Sequence, residues 1–217
     1  MNLNQSFGDW QNNIPKGKLD KTIDYVLTGQ NINTIEPSRE LLEYIRKETE
    51  GDSVSVLDFG CGVCRNVVFL SEMLPKSKIY GYDNEPMLNQ GRQLSIQKYN
   101  KNIDDVTNVY LSSNWDWVKN QKFDFIYATL VFQHIPEAAL EQYLTDIKNM
   151  TDTLLVSGRR FNDELNPNLN ASNNDYPHNQ KNTWQILENN GLKPHFCNKE
   201  YSVEGDPHGS FLCLYKI

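Results

Sequence analysis

Residues 56 to 65 read Val-Leu-Asp-Phe-Gly-Cys-Gly-Val-Cys-Arg, which places an acid, two alternating glycines and the start of a helical pattern within ten positions. An apolar run that ends in Asp58 and turns through Gly60 and Gly62 predicts a strand passing into a helix around a bound group. Glycine adopts the positive backbone angles such a turn needs and lets the main chain approach a ligand, and the following helix aims its unpaired amides at that ligand. Asp83 closes the next apolar run, Lys78-Ile-Tyr-Gly-Tyr-Asp83, 25 residues beyond Asp58. An acid at the end of a second strand is placed to accept hydrogen bonds from ribose hydroxyls. The same turn carries Cys61 and Cys64 as Cys-x-x-Cys, and at a strand-to-helix junction the helix dipole can lower a thiol pKa. That motif keeps a dithiol redox protein open as an alternative.

The elements that must hold these residues follow from apolar periodicity. Strands are expected at about 53–58, 78–83, 107–111, 122–129 and 152–157, separated by helical patterns at about 64–74, 85–99 and 136–149. Alternating strands and helices imply a parallel sheet with helices on both faces. A helix near 179–190 stops at Gly191, and two β-like runs, 193–203 and 210–217, are joined by Glu204-Gly-Asp-Pro-His-Gly209, a hairpin signal. A helix begins at Glu36, Pro37 and Ser38 and ends near Gly51. Residues 1–35 are expected to form a cap segment over the ligand-binding edge. Gly158 to His178 is rich in Asn, Asp and Pro, and a loop this long within a domain is expected to be functional.

At 217 residues the chain suits one α/β domain spanning 1–217. A net charge of -7 argues against a nucleic-acid partner, which selects for a basic face. No stretch reaches the roughly 18 apolar residues of a membrane span, and the amino terminus lacks a basic region followed by an apolar run. A cytoplasmic protein is expected. The four cysteines, Cys61, Cys64, Cys197 and Cys213, contain one close pair where a zinc ribbon needs two, so no metal is expected.

The Asp58-x-Gly60-x-Gly62 turn and Asp83 together resemble the class I S-adenosylmethionine-dependent methyltransferases, whose first motif reads acid-x-Gly-x-Gly-x-Gly and whose second strand ends in an acid. Cys64 stands in the place of the third glycine, and its side chain leaves less room beside the methionine moiety. The resemblance covers about residues 37–217. It implies a Rossmann-like, doubly wound, mostly parallel sheet of seven strands with an antiparallel C-terminal hairpin, S-adenosylmethionine as cofactor and S-adenosylhomocysteine as product.

The resemblance also implies the site. Asp58, Gly60, Cys61, Gly62 and Arg65 would meet the cofactor at the first turn. Asp83 and Asn84 would hold the ribose side of the cofactor, with Asn84 also filling the cap of the next helix. Asn114 would read the adenine amine and Trp115 stack on its ring, core packing being the plainer role for Trp115 and Trp117. The backbone of Ala128, Thr129 and Leu130 would line the methionine side. His134, in Gln133-His134-Ile135-Pro136, is the candidate general base, with a structural cap on the following helix as its plainer role. Arg159, Arg160, Tyr176 and His178 fall where the family builds acceptor sites, and the two arginines could clamp a carboxylate or phosphate on a small acceptor. No motif names the acceptor or an oligomeric state. A nicotinamide oxidoreductase would want glycine at Arg65, and a DNA amino-methyltransferase would want an acidic or Asn-Pro-Pro-aromatic tetrapeptide where Ala128-Thr-Leu-Val131 stands. A module that binds the cofactor without transferring methyl is a further alternative.

Overall fold

The computed structural model describes residues 45–47, 53–159, 182–201 and 210–217. Its centre is a seven-stranded sheet built from β1 (Ser55–Phe59), β2 (Lys78–Tyr82), β3 (Val109–Ser112), β4 (Phe125–Thr129), β5 (Thr153–Arg159), β6 (Lys193–Tyr201) and β7 (Ser210–Lys216). Their spatial order is β3-β2-β1-β4-β5-β7-β6. The first five strands are mutually parallel, and β7 enters antiparallel between β5 and β6. The chain runs outward from β1 to β3 and then returns to the other side of β1 with β4. That reversal opens a crevice at the carboxyl ends of β1 and β4, where ligands of open α/β sheets bind.

The helices are α1 (Arg65–Met73), α2 (Glu85–Tyr99), the short α3 (Trp115–Val118), α4 (Glu137–Met150) and α5 (Thr183–Asn189), and residues 45–47 are also helical. Two expectations shift at their edges. The stretch after β3, for which no element was expected, forms α3, because the Asn114 side chain accepts from the amides of Asp116 and Trp117 and so nucleates a turn. The last helix starts at Thr183, where Asn182 and Gln185 form a reciprocal capping box.

Because strand side chains alternate between faces, each strand feeds two cores. On one face Leu57, Phe59, Ile126 and Val156 pack with Leu140, Leu144 and Ile147 of α4 and with Trp184 and Leu187 of α5. On the other Val56, Ile79, Tyr127 and Leu155 pack with Val67 and Leu70 of α1 and with Ile45. Helix α4 buries Leu140, Tyr143, Leu144 and Ile147 at helical spacing, and each such residue contributes about 1.5–3 kcal/mol through area removed from water. Cys197 and Cys213 are register partners on β6 and β7 and are joined by a disulfide, a link that was not expected from their 16-residue separation.

Candidate active site

The turn after β1 is held by the end of β2. Gly60 and Gly62 have φ of +74° and +57°. The amides of Gly60 and Cys61 both donate to the Tyr82 carbonyl, at 2.8 and 3.0 Å, and the Gly62 amide donates to Asp83 Oδ2 at 2.7 Å. The other carboxylate oxygen of Asp83 accepts from the Asn84 amide at 2.7 Å. Burial pushes the Asp83 carboxyl up to about 6, opposed by those two amides. Asn84 takes the cap of α2, its side chain accepting from the Met87 amide at 3.0 Å, as expected. Asp83 therefore ties the glycine turn to the next helix.

Gly60 is needed for a second reason. A Cβ there would overlap both methyl groups of Val131, so the turn after β1 and the loop after β4 are in direct contact. Cys64 caps α1 with φ +64°, in the left-handed region. The place of the third glycine is thus a backbone requirement as well as a matter of side-chain size, and a non-glycine residue there costs about 1–2 kcal/mol. Leu130, just after β4, has φ +58°. Cys64 and Leu130 thus place left-handed, non-glycine backbone at the turn after β1 and just after β4.

Asp58 is 1% exposed, and its Oδ2 has no hydrogen-bond partner among the described residues. Burial pushes its carboxyl up to about 7, with the charge of Asp83 adding, while the Tyr127 hydroxyl and the Arg65 guanidinium oppose the shift. Arg65, the first residue of α1, thus has its expected acid nearby. The Cys61 and Cys64 sulfurs lie 3.9 Å apart, both buried. Burial, then Cys64, Asp58 and Asp83, push the Cys61 thiol well above its ordinary value. A thiol so shifted is a poor nucleophile at neutral pH, the opposite of a redox-active dithiol.

Beyond β3 the expectations for adenine change. Trp115 is 1% exposed and sits among Phe59, Tyr82 and Tyr143 at centroid distances of 5.4, 5.0 and 4.8 Å, its indole N–H donating to Asp146 at 2.7 Å. It is a core residue and cannot stack on a ligand ring. Asn114 Oδ1 caps α3, accepting from the amides of Asp116 and Trp117. Trp117, two positions on, is the exposed member of the pair and lies near Tyr80. After β4, Ala128 is buried, the Leu130 amide donates to the Ser157 carbonyl at 2.9 Å, and His134 ends a short 3-10 turn. Gln133 Nε2 lies 3.2 Å from His134 Nε2. The cap position of α4 is Pro136. Arg159 ends β5, its backbone in register with Ser210, whereas Arg160, Tyr176 and His178, like the cap segment 1–35, lie outside the described residues. Sequence reasoning missed Tyr127, Val131, Glu85 and Ser113. Glu85, at the first turn of α2, accepts from Ser113 Oγ at 2.8 Å and ties the end of β3 to α2, and its place directly behind Asn84 was the only signal.

Residues 56–153 match a family model described as a methyltransferase domain. The fold is similar to that of magnesium protoporphyrin IX methyltransferase (ChlM) from Synechocystis PCC 6803 with bound S-adenosylmethionine, at 13% identity and a TM-score of 0.65, over 100% of this chain and 97% of that one. It is also similar to a SAM-dependent methyltransferase from Aquifex aeolicus (20% identity, TM-score 0.56, 81% and 89% covered) and to the methyltransferase domain of bacterial CtHen1 (15%, 0.61, 86% and 100%). No curated protein sequence matches the chain. The glycine turn, the acid after β2 and the strand order agree with that match: residues 56–153 are similar to a methyltransferase domain, and the sheet has the Rossmann-like fold of the class I S-adenosylmethionine-dependent methyltransferases.

Proposed function

We propose that the protein transfers the methyl group of S-adenosylmethionine in line to a small-molecule acceptor, with the cofactor across the carboxyl ends of β1, β2 and β4. The observation that carries this reading is Asp58 Oδ2, a buried acceptor without a partner among the described residues, beside a turn with two left-handed glycines. Burying such an oxygen unpaired costs about 1–3 kcal/mol, which a donor such as the cofactor's ammonium would recover. When bound, S-adenosylmethionine supplies a methyl on a sulfonium centre that needs no further activation.

The chain's own residues then bind and align. Asp58 accepts from the ammonium, and Gly60, Cys61 and Gly62 let the main chain run close beside the methionine moiety. Asp83 offers its carboxylate to the ribose while keeping the turn in place. The backbone of Ala128 to Leu130 closes the methionine side, shaped by the left-handed Leu130. Holding nucleophile, methyl and sulfur in line supplies most of the acceleration. His134, set at the carboxyl end of β4 beside Gln133, takes the proton where the acceptor must lose one. The arginine clamp for an anion is not carried forward, since its groups lie outside the described side chains.

Calorimetric titration with S-adenosylhomocysteine, with NADH as control, tests the reading. Micromolar binding of the former alone is expected, and binding of neither overturns it. Asp83→Ala would also remove the acceptor of the Gly62 amide, so Asp83→Asn, which keeps one carbonyl oxygen, is the cleaner probe. It should weaken binding by about 2 kcal/mol, the scale of a hydrogen bond to a charged group. Among the described residues no helix is long and apolar enough to cross a membrane. The reading includes a cytoplasmic location, against which the Cys197–Cys213 disulfide stands, because such bonds are rare there. Counting free thiols in protein taken directly from cells tests that point.

A further inference from the structure

The loop after β4 holds two polar side chains against each other. Phe132–His134 forms a 3-10 turn that is pinned from below: Phe132 is 1% exposed and meets Phe59 edge-on at a centroid distance of 5.4 Å, and the His134 amide donates to the Val131 carbonyl at 2.9 Å. Gln133 and His134 themselves are half-buried rather than sealed in the core. The Gln133 carboxamide is oriented at both ends. Its Nε2 lies 3.2 Å from His134 Nε2, and its Oε1 lies over Gly158 of β5, 3.2 Å from where a Cβ would stand there. The side chain that Gly158 lacks thus leaves the space that the oxygen end takes up.

A carboxamide nitrogen can only donate, so this contact requires His134 Nε2 to accept. The geometry points to Gln133 as a positioning residue that assigns the His134 proton: the neutral imidazole carries it on Nδ1 and keeps the Nε2 lone pair as the basic site. This rests on the reading of His134 as the group that takes the acceptor's proton. In water the neutral imidazole side chain favours the opposite tautomer, with the proton on Nε2, so a specific contact is needed to reverse it. In the transfer, the acceptor's O–H or N–H replaces the amide N–H at Nε2. The proton then passes to Nε2 while the acceptor gains the methyl, the methyl–sulfur bond breaks and the cofactor is left as the neutral thioether. The imidazolium carries protons on both nitrogens, and Gln133 meets it by turning Oε1 to accept from Nε2–H. A Glu at this place could only accept, which would draw the resting proton onto Nε2 and use up the base, and a Leu would hold neither state. The amide, donor at one end and acceptor at the other, serves before and after the proton moves.

The test reads the tautomer directly, by nitrogen NMR of the imidazoles in the full chain at a pH where they are neutral, the His134 signals being those lost in His134→Asn. The proton is expected mainly on Nδ1. Gln133→Leu should shift the tautomer ratio about fivefold towards Nε2–H, the scale of one neutral hydrogen bond lost. Gln133→Glu, the second variant should Gln133→Leu fail to fold, should place the proton on Nε2. A proton mainly on Nε2 in the parent chain, or a ratio unaltered in a folded variant, would overturn the assignment. Methyl transfer unimpaired in His134→Asn would instead overturn the base reading on which it rests, and absence of S-adenosylhomocysteine binding would overturn the cofactor reading, which the separate titration reports.

Discussion

The two faces of the sheet treat polarity in opposite ways at the same height. On the α4 side, around Phe59, the polar tips of a dense aromatic cluster find partners: the Trp115 indole donates to Asp146, and the Tyr82 and Tyr143 hydroxyls lie 3.1 Å apart. On the α1 side, one residue away along the same strands, the Tyr127 hydroxyl leans on the buried Asp58 carboxyl, and Thr129 Oγ1 and Ser157 Oγ have no partner among the described residues. A buried polar group left unpaired is expensive, so the first face is built for stability and the second carries a cost that a ligand would offset. The contrast separates residues that pack the core from residues that the proposed function places in the crevice.

The largest expected effect belongs to the first face. Trp115→Ala should destabilise the protein by about 3–5 kcal/mol in a denaturant melt, the usual range for a buried Trp truncated to Ala. A loss of cofactor affinity without that destabilisation would return Trp115 to the ligand and break the comparison. Next come the turn glycines. Gly60→Ala combines a left-handed φ with overlap against Val131 and should cost about 3 kcal/mol, whereas Gly62→Ala, whose new methyl meets only Met87 at 3.5 Å, should cost about 1 kcal/mol. Equal melts for the two variants would refute the contact between the two loops.

The pH dependence of Asp58 sharpens the contrast. Its folded-state value, about 7, lies above the ordinary 3.8, so the folded chain holds the extra proton between those values and stability should fall as pH rises from 4 to 7, Asp83 adding to the fall up to about 6. A cationic ammonium favours the ionised carboxylate, so affinity for S-adenosylhomocysteine should rise about tenfold per pH unit below 7 and level off above it. Asp58→Asn should flatten the Asp58 share of both profiles. An unaltered affinity profile in that variant would remove Asp58 from the ammonium. The smallest effect is expected at Ser157: Ser157→Ala should raise the stability of the ligand-free protein by about 1 kcal/mol, as the unpaired hydroxyl is removed. A lower melting temperature would mean that bound water already satisfies the Ser157 hydroxyl.

Much of the site is legible in the amino-acid sequence. Asp58, Gly60, Gly62 and Asp83 can be read there because turn glycines and strand-ending acids report on the backbone conformation of their own neighbourhood. Asn84 is legible as a cap for the same reason. Trp115 and Trp117 are not distinguishable by sequence, since two positions apart on a four-residue helix they point different ways, and only the packing of α3 against Phe59 and Tyr143 decides which one is buried. Cys64 reads in the sequence as a question of size, while its positive φ emerges only with the course of the turn.

The sequence by itself determined the alternation of strands and helices, the glycine turn and the two acids that flank it, because periodicity, glycine freedom and capping are local properties. Only the tertiary structure decided that Asp83 binds the Gly62 amide, that Val131 closes on Gly60, that Cys197 meets Cys213, and that Asp58 of β1 lies beside Tyr127 of β4. Each of these depends on strand order and register, which bring together residues far apart in the chain, and no local pattern encodes that juxtaposition.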